Sequence, residues 1–288
     1  MNGGRRRWAP RRAPAAEVRT GASGRSVDGM TDLLAWGIEP RVEPTPRRVR
    51  ARVGDTVVGD SRRALLLAWY GPGMLPTYCF PAADVRTDLL RPSAAGGETD
   101  GDLPFTVAHD VVVGDTVVER GAALFRDPPD PLRKVGGRWT FTWDAGVSWS
   151  EEALEVHVHA RDPHKRVDVM PSDRHVQIQV DGEVVAESSR AHALFETTLP
   201  TRWYLPPDDV RRDLLVPSET VTSCPYKGTA RYWSVQVGDT LHRDLAWSYP
   251  EPVVECPRIA GLVSFFNERV DVVVDGVTER TPRTPWSD

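Results

Sequence analysis

The sequence predicts an all-β fold, mainly antiparallel with short helices, arranged as two tandem domains of one kind. Three observations predict it: the second half repeats the first, paired Gly and Asp residues mark hairpin turns throughout, and helical periodicity is scarce. The repeat comes first, because self-similarity sets the architecture. Ser61-Arg62-Arg63-Ala64 leads on to Pro81-Ala-Ala-Asp84-Val85-Arg86-Thr87-Asp88-Leu89-Leu90-Arg91-Pro92-Ser93. In the second half Ser188-Ser189-Arg190-Ala191 leads on to Pro206-Pro-Asp-Asp209-Val210-Arg211-Arg212-Asp213-Leu214-Leu215-Val216-Pro217-Ser218. A constant shift of 124 residues then carries Val111, Gly114, Asp115, Ala122, Gly137 and Phe141 onto Val235, Gly238, Asp239, Ala246, Gly261 and Phe265.

The chain begins with a head, residues 1–46, rich in Arg, Pro, Ala and Gly, which reads as disordered. It has no apolar segment of the secretory kind, and Met30 offers an alternative start. Seven Arg within residues 1–30 oppose Glu17 and Asp28, so the net charge of −5 conceals a more acidic body. An acidic body argues against a nucleic-acid surface, which is normally a basic patch. No apolar run approaches the roughly 20 residues of a membrane span, so no membrane partner is expected. Three cysteines, Cys79, Cys224 and Cys256, form no Cys-x-x-Cys pair. So sparse and odd a count suggests a reducing, cytoplasmic setting and no structural zinc of the usual spacing.

The first domain spans 47–152 and opens with Val53-Gly-Asp-Thr-Val-Val58, a hairpin signal repeated at Val113-Gly-Asp-Thr-Val-Val118. A connector, 153–173, carries His157-Val158-His159 and His164. Read as a strand, His157 and His159 share a face, but no third ligand stands at fixed spacing, and no metal is assigned. The second domain spans 174–280, with hairpin signals at Val180-Asp-Gly-Glu183, Val237-Gly-Asp-Thr-Leu241 and Val274-Asp-Gly-Val277. Five turns of one kind imply meandering antiparallel sheets. The best helix is short: Asp208 or Asp209 caps Val210–Leu215, with Val210 and Leu214 on one face. Asp84 to Leu90 is its twin. A tail, 281–288, closes the chain.

Where two copies share a scaffold, residues found in only one are candidates for function. Cys224-Pro-Tyr-Lys-Gly228 is such a segment: Cys224, Tyr226 and Lys227 fall opposite Asp100, Asp102 and Leu103. Trp247 and Tyr249 fall opposite Ala123 and Phe125. Lys227 sits in a turn before a strand, where a scaffold can aim its amine. Desolvation would lower its pKa and suit it to a Schiff base or to anchoring an anion. Cys224, three residues away, could act as a thiolate. The commoner role for such residues is a solvated turn lysine and a small buried hydrophobe. Tyr226, Tyr232, Trp247 and Tyr249 could wall a ligand with Lys227 and Arg202, or could be ordinary core. His192 is a weak acid–base candidate, and Glu268 a base or an ion-pair partner. No phosphate loop, dinucleotide fingerprint or Gly-x-Ser-x-Gly is present.

Cys224-Pro-Tyr-Lys-Gly228, Tyr232-Trp233-Ser-Val235, Trp247-Ser-Tyr249-Pro250, Ile259-Ala-Gly261 and Phe265-Phe266-Asn267 together resemble the DUF427 family, of unknown function. The connector Arg161-Asp-Pro-His-Lys-Arg-Val-Asp168 resembles that of actinobacterial tandem members. The resemblance implies two tandem β-tent-like domains, in each of which two antiparallel sheets meet like tent sides, and relatives of that fold bind small molecules beside the sheets. The label nucleotidyltransferase-like, sometimes attached to the family, finds no supporting motif. The expectation is a small-molecule site in the second repeat, at Tyr226, Lys227, Tyr232, Trp247, Tyr249 and Arg202, with no cofactor. Covalent catalysis by Lys227 or Cys224, and a non-catalytic protein scaffold, are the alternatives. Oligomeric state is not legible.

Overall fold

The computed structural model describes residues 39–70, 75–94, 105–143 and 146–284. Residues 1–38 and the segment 95–104, which holds the first-half counterparts of Cys224, Tyr226 and Lys227, lie outside the described residues. The chain divides into two compact units, parting between Asp162 and Pro163.

In the first unit the strands are β1 (Arg41–Pro44), β2 (Val49–Val53), β3 (Thr56–Ser61), β4 (Leu65–Ala68), β5 (Thr77–Pro81), β6 (Leu90–Pro92), β7 (Thr106–Val113), β8 (Thr116–Phe125), β9 (Arg138–Phe141), β10 (Ser148–Glu151) and β11 (Leu154–Val156). They form a seven-stranded sheet, β1-β4-β5-β9-β8-β7-β6, and a four-stranded sheet, β11-β10-β2-β3. In the second unit they are β12 (Val167–Pro171), β13 (Val176–Val180), β14 (Glu183–Ser188), β15 (His192–Glu196), β16 (Arg202–Leu205), β17 (Leu215–Cys224), β18 (Gly228–Val237), β19 (Thr240–Ser248), β20 (Val263–Phe265), β21 (Asp271–Val274) and β22 (Val277–Thr278). The orders β12-β15-β16-β20-β19-β18-β17 and β14-β13-β21-β22 repeat those of the first unit strand for strand. All pairings between these strands are antiparallel. The fold is all-β, with two sheets per unit.

Two edge strands extend the domains beyond their sequence-derived limits. β1 lies within the segment read as a disordered head, and β12 within the connector, yet each pairs along its length with a core strand, β4 or β15. β11 likewise belongs to the first unit's small sheet.

All five Gly–Asp signals form hairpins, of two kinds. At Asp181-Gly182 and Asp275-Gly276 both residues take positive φ, as type I′ turns require. At Gly54, Gly114 and Gly238 only the glycine does, which is the φ pattern of type II′. The expected two-turn helices do not form. Pro207–Asp209 and Arg212–Leu214 are single 3-10 turns, separated where Val210 is extended and bridges Ala186 of β14. Asp209 is not a cap; its carboxylate accepts from Ser188 Oγ at 2.6 Å and from Arg190. Ala82–Asp84 and Thr87–Leu89 repeat the arrangement. A tertiary contact displaces local helix propensity here.

Each large sheet carries a hydrophobic cluster on both faces. Side chains alternate along a strand, so Ala193, Trp203, Leu205 and Ala246 face the small sheet, with Val176, Ile178 and Val272 across from them. Their neighbours Leu194, Tyr204 and Trp247 face outward and pack with Cys256 and Ile259 from the loop 249–262. The first unit does the same. Leu66, Ala68, Tyr78 and Phe80 point inward, and Leu67, Trp69 and Cys79 point outward under Phe125, Leu132 and Val135.

Candidate functional site

Among the described residues, the outer face of the second unit carries buried charge where that of the first is apolar. β15 alternates His192, Leu194 and Glu196 toward that face, and the strand register delivers Glu196 beneath the β17–β18 turn. There Lys227 Nζ donates to Glu196 Oε2, and Lys165 Nζ lies 3.2 Å from Glu196 Oε1. The three side chains are 13 % (Lys227), 5 % (Glu196) and 9 % (Lys165) exposed. Lys165 also donates to the carbonyl of Thr197 at 3.1 Å. The site is therefore a buried carboxylate shared by two ammonium groups.

The turn that carries Lys227 is fixed by its backbone. Cys224 pairs with Gly228 across three residues, and the Lys227 carbonyl accepts from Val253 N at 3.1 Å. Gly228 has φ +107, and a Cβ there would lie 3.1 Å from the Glu251 carbonyl and 3.2 Å from Pro252 Cα. Only glycine lets the 251–253 backbone close over the turn. Pro225 is buried, whereas Cys224 and Tyr226 are half-buried.

Around this ion cluster stand aromatic rings. Trp247 Nε1 donates to Tyr204 Oη at 3.1 Å. Tyr232 Oη lies 3.0 Å from Thr222 Oγ1, and Tyr232, Trp247 and Phe266 contact one another. Tyr249 is buried in the same cluster. Burial raises the hydroxyl pKa of Tyr204, Tyr232 and Tyr249, so all three are neutral hydrogen-bonding walls at physiological pH. The Cys256 thiol is pushed up to about 11, first by burial.

The structure reverses the expected titration of Lys227. Burial does oppose the ammonium, but the neighbouring Cys224 sulfur, the Glu196 carboxylate and the Tyr204 hydroxyl outweigh it, and the pKa is raised. Burial also opposes the Glu196 carboxylate, yet Lys227 and Lys165 hold its pKa below the usual value. Its neighbours thus hold Lys227 as a cation, the opposite of what desolvation alone would do.

Tyr232, Trp247 and Tyr249 come together beside Lys227, and Cys224 closes the turn that carries the lysine. Arg202 is placed differently. Its guanidinium forms a bidentate pair with Glu268, at 2.7 and 2.6 Å, and also donates to Asn267 Oδ1 at 3.1 Å. The Arg202 side chain is 8 % exposed and that of Glu268 0 %. The guanidinium also lies 5.7 Å from the centre of the Trp247 ring. Arg202 braces the wall of the cluster, and Glu268 is its ion-pair partner and not a free base. His192 stands four residues along β15 from Glu196, about 13 Å at strand rise, opposite Tyr204 in the strand register. The two connector histidines do not share a strand face. β11 ends at Val156, Val158 takes φ +74, and buried His159 turns its Nδ1 to the Ala160 carbonyl at 2.7 Å.

Glu196, Lys165, Tyr204 and Cys256 were not singled out from sequence as site residues. The repeat held a signal for Glu196, since the shift of 127 residues that aligns Ala64 with Ala191 sets Trp69 opposite it. In the first unit Trp69, Cys79, Ala108, Ala123, Phe125 and Leu132 replace Glu196, Tyr204, Tyr232, Trp247, Tyr249 and Cys256, and the outer face is apolar.

No curated protein matches the chain significantly. A family described as "Domain of unknown function (DUF427)" matches it twice, over residues 41–152 and 168–276. These segments span most of the chain and start at the edge strands β1 and β12. The chain belongs to the DUF427 family and carries two tandem copies of its domain.

Proposed function

We propose that the second domain binds a small anionic molecule at Lys227, against the wall formed by Tyr232, Trp247 and Tyr249. One observation carries this reading: a single buried carboxylate, Glu196, is divided between two lysines. A shared carboxylate leaves Lys227 attraction to spare, and a buried cation acts on an anion far more strongly than a solvated one. The first domain, with Trp69 in place of Glu196, serves as a structural partner. Three unpaired thiols suit a reducing compartment.

The test is thermal-shift screening of small carboxylates, phosphates and sulfate against wild type and Lys227→Met. A ligand at 100 times its Kd stabilises by about 2.7 kcal/mol. Stabilisation seen in wild type and lost in Lys227→Met is the expected result. Equal stabilisation of both, or of neither, overturns the proposal.

A second reading rests on Cys224, a half-buried free thiol at the start of the turn that carries Lys227. Cys224 and Lys227 belong to one turn, so replacing the lysine changes the surroundings of the thiol. If the site acts covalently, Cys224 is the nucleophile, and Lys227→Met slows its alkylation at neutral pH by about tenfold or more. Unchanged alkylation leaves non-covalent binding as the function.

A further inference from the structure

The opposite face of the same large sheet holds a second difference between the two domains. In the first unit the indole of Trp139 on β9 packs against the ring of His109 on β7, with centroids 4.8 Å apart at 76°. Trp139 is buried with Val85 and Leu90 packed beside it. The strand registers put Val263 of β20 where Trp139 stands, because Phe80 pairs with Trp139 as Leu205 pairs with Val263. They put Trp233 where His109 stands, because Pro92 pairs with His109 as Pro217 pairs with Trp233. One of the two rings is thereby missing from the second unit. Beside Val263 and Trp233 is a cavity of about 280 Å³, lined also by Pro207, Val210, Arg212, Leu215 and Gly261.

We propose that this cavity is a binding site for an uncharged planar aromatic molecule of about indole size. The bound ring takes the place that Trp139 fills in the first domain and packs edge-to-face on Trp233. Aromatic pairs favour that geometry, and Pro207, Val210, Leu215 and Val263 supply apolar walls. Arg212 does not select an anion, because its guanidinium is already held by Asp208 at 2.8 Å and by the Pro207 carbonyl at 3.1 Å. The volume falls just below the range of drug-sized ligand pockets, which begins at about 300 Å³, and suits a smaller molecule. The site is independent of Lys227, since Trp233 and Val263 face the inter-sheet core whereas the ion cluster faces outward.

The test uses indole as probe on the full chain, followed by the indole N–H resonance of Trp233, assigned with Trp233→Phe. Saturable shifts of that resonance at millimolar indole are expected. Val263→Trp should restore the first domain's packing, raise the Tm and weaken indole binding at least about tenfold, while Val263→Ala keeps binding. If Val263→Trp fails to fold, Trp233→Leu replaces it, with the same loss measured by calorimetry. Indole-3-carboxylate should bind no more tightly than indole. No saturable shift, binding by Val263→Trp equal to wild type, or a tenfold preference for the carboxylate overturns the proposal.

Discussion

Glu196 decides the character of the second domain's outer face. Glu196→Gln leaves two buried ammonium groups without their shared carboxylate, and breaking a buried pair from one side costs about 3–5 kcal/mol. Urea denaturation of wild type and variant measures it. The pH dependence follows from both partners. The Glu196 pKa is lowered on folding, so its stabilisation is complete above the unfolded value, about 4.3, and is lost as pH falls through the lower folded value. The Lys227 pKa is raised, so its stabilisation is complete below about 10.4 and is lost as pH rises through the higher folded value. Tm should be flat from about pH 5 to 10 in this contribution and fall outside it, with both limbs weakened in Glu196→Gln. Arg202→Ala, which strands the fully buried Glu268 carboxylate, should lower stability by a similar amount; Arg202→Lys should recover only part, since an ammonium lacks the bidentate fork. Lys227, Trp247 and Tyr249 were legible because the first copy lacks them. Glu196 and Lys165 were not, because their meeting with Lys227 depends on strand register across residues 31 or more apart in sequence.

Among the elements, the hairpins were the most legible, because positive φ is a local demand that Gly and Asp announce wherever they stand. The helices were misread for the opposite reason. Pro206-Pro207 followed by Asp208-Asp209 is a sound start signal, but Val210 meets β14, and the contact with Ala186 wins. The β17–β18 turn gives a sharp contrast between two glycines. Gly228→Ala forces a Cβ into the backbone of 251–253 at φ +107, whereas Gly261, at φ +68, has open space around it. Gly261→Ala carries only the left-handed backbone penalty, about 1–2 kcal/mol. Gly228→Ala should exceed it and, by displacing Lys227, should also change the rate of Cys224 alkylation. Parallel denaturation and labelling of the two variants check this.

At the scale of the molecule, the two units share one topology, and each draws its clusters from its own residues. The duplication, the all-β class and the division into halves were legible because a repeat and its turns persist in sequence. The limits of the halves were less so, since an edge strand with one partner needs no strong pattern of its own. Residues 163–284, which contain both clusters of the second unit, should fold alone, with cooperative thermal unfolding and the alkylation rate of Cys224 seen in the full chain. Loss of either would show that this unit needs the first.

Opposed faces of one sheet give such a duplicated chain an evolutionary freedom. Residues on the inner face hold the two sheets together, and those on the outer face do not. In the first copy Trp69, Cys79 and Phe125 stand where the second has charge and hydroxyls, and yet the strand order is unchanged. An ancestor could therefore let one copy's chemistry decay, or acquire a new one, without passing through an unfolded intermediate. The same route is open to an engineer, who can rewrite the outer face of the first copy while its inner face keeps the fold.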